Sequence, residues 1–116
     1  FSSVMEQVYP ALEGIGREKP LFISEFGTDL SGHAAAVWTR DALSSLVSGR
    51  WPRIIGFAWW NAAWPDARSP DTTISLRIEE SQEISALFRE YIGENPAVRD
   101  RVPLPHRDEP SEGNRE

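Results

Sequence analysis

The sequence predicts an α/β fold built on parallel strands, and three observations carry that expectation. Two short segments, residues 21–25 and 54–60, are apolar at both parities, as strands covered on both faces are. A segment with helical periodicity, residues 34–48, lies between them. Strand, helix and strand in that order make a parallel unit, because parallel neighbours need a crossover connection. Two strands are too few for an independent sheet of this kind. An α/β barrel needs about eight strands and roughly 250 residues. The 116 residues are therefore expected to belong to a larger sheet.

Each element follows from local pattern. Residues 1–16 place Val4, Met5, Val8, Leu12 and Ile15 at helical spacing. Pro10 disfavours a helical Tyr9, so one kinked helix or two short ones are expected. Lys19-Pro20 closes a loop before the first strand. Residues 26–32 are rich in Gly and turn-favouring side chains and read as a loop. In residues 34–48, Trp38, Ala42 and Leu46, flanked by Leu43 and Val47, form one apolar stripe, and Gly49 is a stop signal. Trp51-Pro52 breaks the chain before the second strand. Residues 61–77, containing Pro65 and Pro70, read as a long irregular loop. The last helix is bounded by Ser81 as N-cap and Gly93 as stop. Between them Ile84, Leu87, Phe88, Tyr91 and Ile92 follow i, i+3, i+4, i+7, i+8. Residues 1–93 form the folded part in this reading, and residues 94–116 a polar, disordered tail.

Composition excludes several function classes. The net charge is −6 with no Lys/Arg cluster, which removes the electrostatic footprint for nucleic acid or an anionic membrane. No apolar run reaches the length of a membrane span. With no cysteine there is no disulfide, thiolate metal site or thiol nucleophile. His33 and His106, the only histidines, are too far apart to form a zinc site between them. Asp66, Asp71, Glu79 and Glu80 lack the alternating spacing of a calcium loop. No metal and no organic cofactor is expected.

Two places can carry chemistry. Glu25 ends the first strand, and parallel α/β barrels collect active sites at the C-terminal ends of their strands. Simple alternation puts Glu25 on the face of Leu21 and Ile23. The bland alternative is a strand-end carboxylate paired with an arginine or merely solvated. The second place is aromatic. Four of the five tryptophans, Trp51, Trp59, Trp60 and Trp64, fall close together. An indole face covers the C–H side of a pyranose ring and leaves the hydroxyls for polar neighbours such as Asn61. Alternation puts Trp59 with Ile55 and Phe57, and Trp60 on the other face. The expectation is that Trp59 faces the cleft and Trp60 packs inside.

Lys19-Pro20-Leu21-Phe22-Ile23-Ser24-Glu25-Phe26-Gly27-Thr28 resembles the seventh-strand segment of the (β/α)₈ glycosidase clan. More narrowly, it resembles glycoside hydrolase family 26, the β-mannanase family. Trp38, followed by Trp51-Pro52-Arg53-Ile54-Ile55-Gly56-Phe57-Ala58-Trp59-Trp60-Asn61, is similar to that family's seventh helix and eighth strand. The resemblance covers residues 1–93. It implies the C-terminal portion of a (β/α)₈ TIM barrel: seventh strand, seventh helix, eighth strand and eighth helix. It implies retaining hydrolysis of a β-1,4-linked glycan such as mannan. Glu25 would be the nucleophile, Trp59 the sugar platform, Asn61 a hydroxyl partner, and Trp60 and Trp64 further substrate contacts. The polysaccharide would be met outside the cell, in an extracellular or periplasmic location. The family's Asp-Trp-Arg run after the eighth strand is replaced here by Asp71-Thr72-Thr73-Ile74-Ser75-Leu76-Arg77.

The implied acid/base carboxylate comes from the end of a fourth strand, outside this chain. Two alternatives stand beside this reading. One is a barrel segment that binds glycan without cutting it. The other is a cellulase-like glycosidase of family 5. On the main reading the chain needs the upstream strands of a parent barrel. Alone, it is expected to hydrolyse no glycan and to be poorly stable, with strand edges unpaired and helix faces unmatched. A cooperative unfolding transition of the isolated monomer, followed by circular dichroism, contradicts this expectation, as does turnover of any glycan by it.

Overall fold

Helices stacked on one face of a short parallel sheet organise the chain, and the computed structural model describes residues 1–16 and 18–99. In order, the elements are α1 (Ser2–Gly14), β1 (Leu21–Phe26), α2 (Ala35–Val47), β2 (Ile54–Trp59), β3 (Ala63–Asp66) and β4 (Ser69–Ser75). A 3-10 turn (Ile78–Glu80), α3 (Gln82–Phe88), a π-helical turn (Arg89–Gly93) and α4 (Pro96–Arg99) follow. β1 and β2 are parallel, joined by α2, and pair with no other strand among the described residues. The expected β-α-β unit is present. Its outer edges are open and no closed barrel is formed by the described residues.

Two irregularities in the ladder set which side chains face the helices. Leu21 pairs with Ile54 and Phe22 with Gly56, so Ile55 is the extra residue of β2. Ile23 pairs with Phe57 and Phe26 with Trp59, so Ser24 and Glu25 together oppose Ala58. Leu21 and Ile54 pack on Met5 and Tyr9 of α1 and on Trp51. Phe57 packs on Leu43 of α2 and on Ile84 and Leu87 of α3. Phe26 meets Phe57 edge-on at 5.3 Å and Trp59 at 5.4 Å between ring centroids. These side chains define one covered face. The other carries Phe22, 60% exposed, whose ring lies over Gly56 where a Cβ would collide with it.

Two helix ends obey their sequence signals, whereas Pro10, expected to kink or divide the first helix, does neither: α1 runs unbroken through it, with Pro10 exposed. Ser81 caps α3, its hydroxyl accepting from the Ile84 amide at 3.3 Å. Gly49, with φ of 73°, follows α2 in a left-handed conformation that a side chain resists. Fully burying a side chain such as Leu43 or Ile84 contributes about 1.5–3 kcal/mol. Among the described residues no helix is long and apolar enough to cross a membrane.

Two further expectations are corrected. Residues 61–77 are not an irregular loop: β3 and β4 form an antiparallel hairpin, with Ala63 opposite Ser75 and Trp64 opposite Ile74. Its turn is closed by the Asp66 carboxylate, which accepts from the Arg68 amide at 2.8 Å. Proline argues against a central strand, but a lone hairpin has two edges, and the prolines remove no essential ladder bond there. The segment after residue 93 is likewise not all tail, because α4 occupies Pro96–Arg99. Its Ala97 and Val98 join Leu46, Val47, Phe57 and Ile92 around an apolar groove. The rest of the expected tail lies outside the described residues.

One side chain ties α1 to the sheet. A helix leaves its last four carbonyls without intrahelical donors. The Arg53 guanidinium donates to the carbonyls of Leu12 at 3.3 Å, Glu13 at 3.2 Å and Gly16 at 2.9 Å. It also reaches the Lys19 carbonyl at 2.9 and 2.7 Å, just before β1. The Arg53 amide donates to the buried Tyr9 hydroxyl at 3.2 Å. A lysine offers a single ammonium in place of this planar fork. Arg53→Lys is therefore expected to lose about 1–3 kcal/mol despite keeping its charge. The loss should be read as faster amide exchange across α1; unchanged exchange there would refute this role.

Candidate active site

The bulge at Ser24–Glu25 decides where the candidate nucleophile lies. Phe26 points at the helices, touching Phe1, Phe57 and Trp59. Its neighbour Glu25 therefore lies on the opposite face, and it is exposed. Plain alternation would have put Glu25 with Leu21 and Ile23, which face the helices. The extra residue reverses that assignment, and bulges commonly re-aim a side chain beside active sites. Glu25 thus stands at the C-terminal end of a parallel strand, on the face bare of helices. Among the described residues it takes part in no ion pair, unlike Glu6, Asp66, Glu80 and Glu90.

The two tryptophans at the end of β2 exchange the roles expected of them. Trp59 packs inward: its ring centroid lies 5.1 Å from Phe88 and 6.4 Å from Trp38, and its Nε1 donates to the Leu76 carbonyl at 2.6 Å. Trp59 therefore does not face the open side. Trp60 does, being 48% exposed, and its ring lies 5.1 Å from that of Trp64 at an interplanar angle of 31°. The physical reason is the register. Trp59 pairs with Phe26, so both rings enter the apolar layer beneath α2 and α3, and the next residue must turn away. By the same alternation Trp60 shares the face of Glu25.

Asn61 is already engaged. Its Oδ1 accepts from the Ile78 amide at 2.7 Å, and its Nδ2 donates to Glu79 at 3.0 Å. That hydrogen bond from Asn61 is the main reason the Glu79 carboxyl is held below its usual range. The side chain thus supplies the acceptor that the first amide of the 3-10 turn requires, and it is not a free partner for a sugar hydroxyl.

Sequence reasoning missed the residues that hold the site together. Asp29 joins the loop after β1 to the base of the hairpin. Its carboxylate accepts from the Ser31 hydroxyl at 2.7 Å, from the Ser31 amide at 3.2 Å and from the Ser75 amide at 3.4 Å. The Ser31 hydroxyl is the largest influence lowering its pKa, working against desolvation. Leu76, 6% exposed, presses its side chain onto Gly27 while its carbonyl holds Trp59. Asp29-Leu30-Ser31 carried the signal of an aspartate accepting from the amide two residues on. Nothing local to Leu76 announced its contact, which is set by the hairpin.

Other polar residues stay apart from this face. His33 is exposed and borders a shallow depression of about 280 Å³ with Ser31, Ser81 and Glu83, between the starts of α2 and α3. Among the described residues no group of three or more His, Asp or Glu side chains could hold a metal ion. No family model, curated protein or solved structure matches this chain.

The Gly27–Leu76 contact yields a test. A Cβ at Gly27 would collide with Leu76 Cδ2 and come within 3.7 Å of the Trp59 ring. Gly27→Ala is expected to cost about 1–3 kcal/mol by overpacking and to loosen the Trp59–Leu76 hydrogen bond. Faster solvent exchange of the Trp59 indole proton is the readout. An unchanged rate would mean that Leu76 yields without disturbing the junction.

Proposed function

We propose that this chain is the closing part of a retaining (β/α)₈ glycoside hydrolase acting on a β-1,4-linked glycan such as mannan, with Glu25 as nucleophile. The observation that carries the reading is the bulged strand end. It holds an exposed carboxylate at the C-terminal edge of parallel strands, on the face without helices. The open edges of the two-stranded sheet are what part of an incomplete barrel would present. The resemblance to glycoside hydrolase family 26 supplies the narrower substrate.

In this mechanism the Glu25 carboxylate attacks the anomeric carbon, and the glycosidic bond breaks as a covalent glycosyl–enzyme ester forms. A second carboxyl group, about 5–5.5 Å away, protonates the departing oxygen and later takes a proton from the water that cleaves the ester. That second group is expected from a strand outside this chain, so the chain alone supplies half of the pair. Trp60, on the face of Glu25, takes over the sugar-facing role first assigned to Trp59. The glycan would be met outside the cell. Binding without cleavage is the second reading, favoured by the exposed Trp60, which needs no acid to hold a sugar.

The test is Glu25→Ala in the longer protein that carries this chain. Activity on soluble mannan should fall on the order of 10⁴-fold. Added azide should then restore turnover of an activated aryl glycoside, giving the glycosyl azide of inverted anomeric configuration. Activity within a few-fold of the parent would remove Glu25 from the mechanism.

A further inference from the structure

We propose that Asp29 is a positioning residue for the Glu25 nucleophile, holding through Ser75 the stretch of backbone from which the Glu25 carboxylate projects. The inference rests on the hydrolase reading above and deepens it by naming what aims the attacking group. The starting point is how little holds Glu25 directly. It is exposed, and among the described residues nothing bonds its carboxylate. The bulge sets Ser24 and Glu25 together against Ala58, and an inserted residue of this kind interrupts the ladder. The aim of the carboxylate is therefore set by the backbone on either side of it. On the C-terminal side that backbone is the loop after β1.

That loop is tied in succession to the end of β2 and to the root of the hairpin. The Phe26 carbonyl accepts from the Trp60 amide at 2.9 Å. Gly27 lies beneath the Leu76 side chain. The Leu30 amide donates to the Ser75 carbonyl at 2.8 Å, and the Ser75 amide donates to the Asp29 carboxylate at 3.4 Å. Leu76 turns its amide to the Ala62 carbonyl at 2.9 Å, so Ser75, one residue earlier, presents both its backbone groups to the loop. A further strand here would receive the Ser75 amide on a carbonyl. Asp29 receives it on a side chain instead. The Ser31 hydroxyl and amide hold that carboxylate at 2.7 and 3.2 Å, and the hydroxyl is foremost in keeping its pKa below the usual range.

Removing the Asp29 oxygens leaves the Ser75 amide without this acceptor. Ser75 adjoins Leu76, whose side chain covers Gly27 and whose carbonyl holds Trp59, the partner of Phe26. The disturbance thus reaches the residue next to Glu25 by contact at every step. An attacking oxygen must stand about 3–3.5 Å from the anomeric carbon, and a misplacement of about 1 Å can cost on the order of 10²-fold in rate. The groups that grip the glycan are left in place, so the loss falls on the attack and not on binding.

The experiment treats the longer protein that carries this chain with 2-deoxy-2-fluoro-β-mannobiosyl fluoride and follows labelling by mass spectrometry. A Glu25 oxygen bonds to the anomeric carbon as fluoride leaves, so the rate reports the nucleophile without the second carboxyl group. The parent should take a single label, on Glu25. Asp29→Ala should reach the same full labelling roughly 10–100-fold more slowly, with half-saturation at the same reagent concentration. Asp29→Asn keeps an acceptor for the Ser75 amide and should stay near the parent rate. Ser31→Ala removes only the hydroxyl that orients the carboxylate and should fall between the two. Asp29→Ala labelled at the parent rate overturns the proposal, whether all molecules react or only a folded fraction. Asp29→Asn as slow as Asp29→Ala overturns it too, and where Asp29→Ala does not fold, Ser31→Ala at the parent rate does so. Failure of the hydrolase reading is separable: a parent that takes no label on Glu25 removes both readings, whereas a parent labelled there with variants no slower removes only this one.

Discussion

The contact on which the rest of the structure depends is the aromatic layer between the β1–β2 sheet and the helices. Phe26, Trp38, Trp59 and Phe88 form one chain of ring contacts 5.1–6.4 Å apart, edge-on except for the tilted Phe26–Trp38 pair, and Phe1 and Phe57 extend it. Edge-to-face pairs of this kind contribute about 0.5–1.5 kcal/mol beyond the area they bury. The larger consequence is sidedness. Once Phe26 and Trp59 are committed to the helices, Glu25 and Trp60 have only the other face available. A single choice of packing therefore places both the carboxylate and the exposed indole.

Hydrogen bonds then fix what the aromatic layer orients. Asp29 joins the loop after β1 to the hairpin, Asn61 joins the end of β2 to the 3-10 turn, and the Leu76 carbonyl fastens Trp59. These three ties come from residues far apart in sequence and converge at the C-terminal end of the two strands. That convergence gives an open-edged sheet a defined end, the one that bears Glu25 and Trp60. At the other end, Arg53 gathers the carbonyls at the close of α1, so the two ends of the unit are held by different means.

Much of this was legible in the sequence, and the failures have physical causes. The β-α-β order, the Ser81 cap and the Gly49 stop follow from periodicity and local backbone chemistry. Glu25 stands out in the sequence because a carboxylate ends an otherwise apolar strand. Its face was misread because a bulge is invisible to a rule of alternation: one inserted residue reverses every later assignment. Alternation placed Trp59 with Phe57 and Trp60 opposite, as found, but it does not say which of the two faces the helices cover. The hairpin was hidden by Pro65 and Pro70, which argue against a strand unless both its edges are free. Asn61 has a side chain that a sugar would suit, yet a turn amide reaches it first. Leu76 carries no signal of its own because its meaning comes from contact with Gly27, nearly fifty positions earlier.

The central claim is that the bare face of this sheet belongs to the inside of a barrel whose second carboxylate comes from another strand. Sequencing the reading frame upstream of the Phe1 codon tests it most directly. The account predicts roughly 200 further residues arranged as alternating strands and helices, with a glutamate closing the fourth strand. A frame that starts at Phe1, or an upstream region without that alternation, would contradict the account and leave Glu25 without its partner.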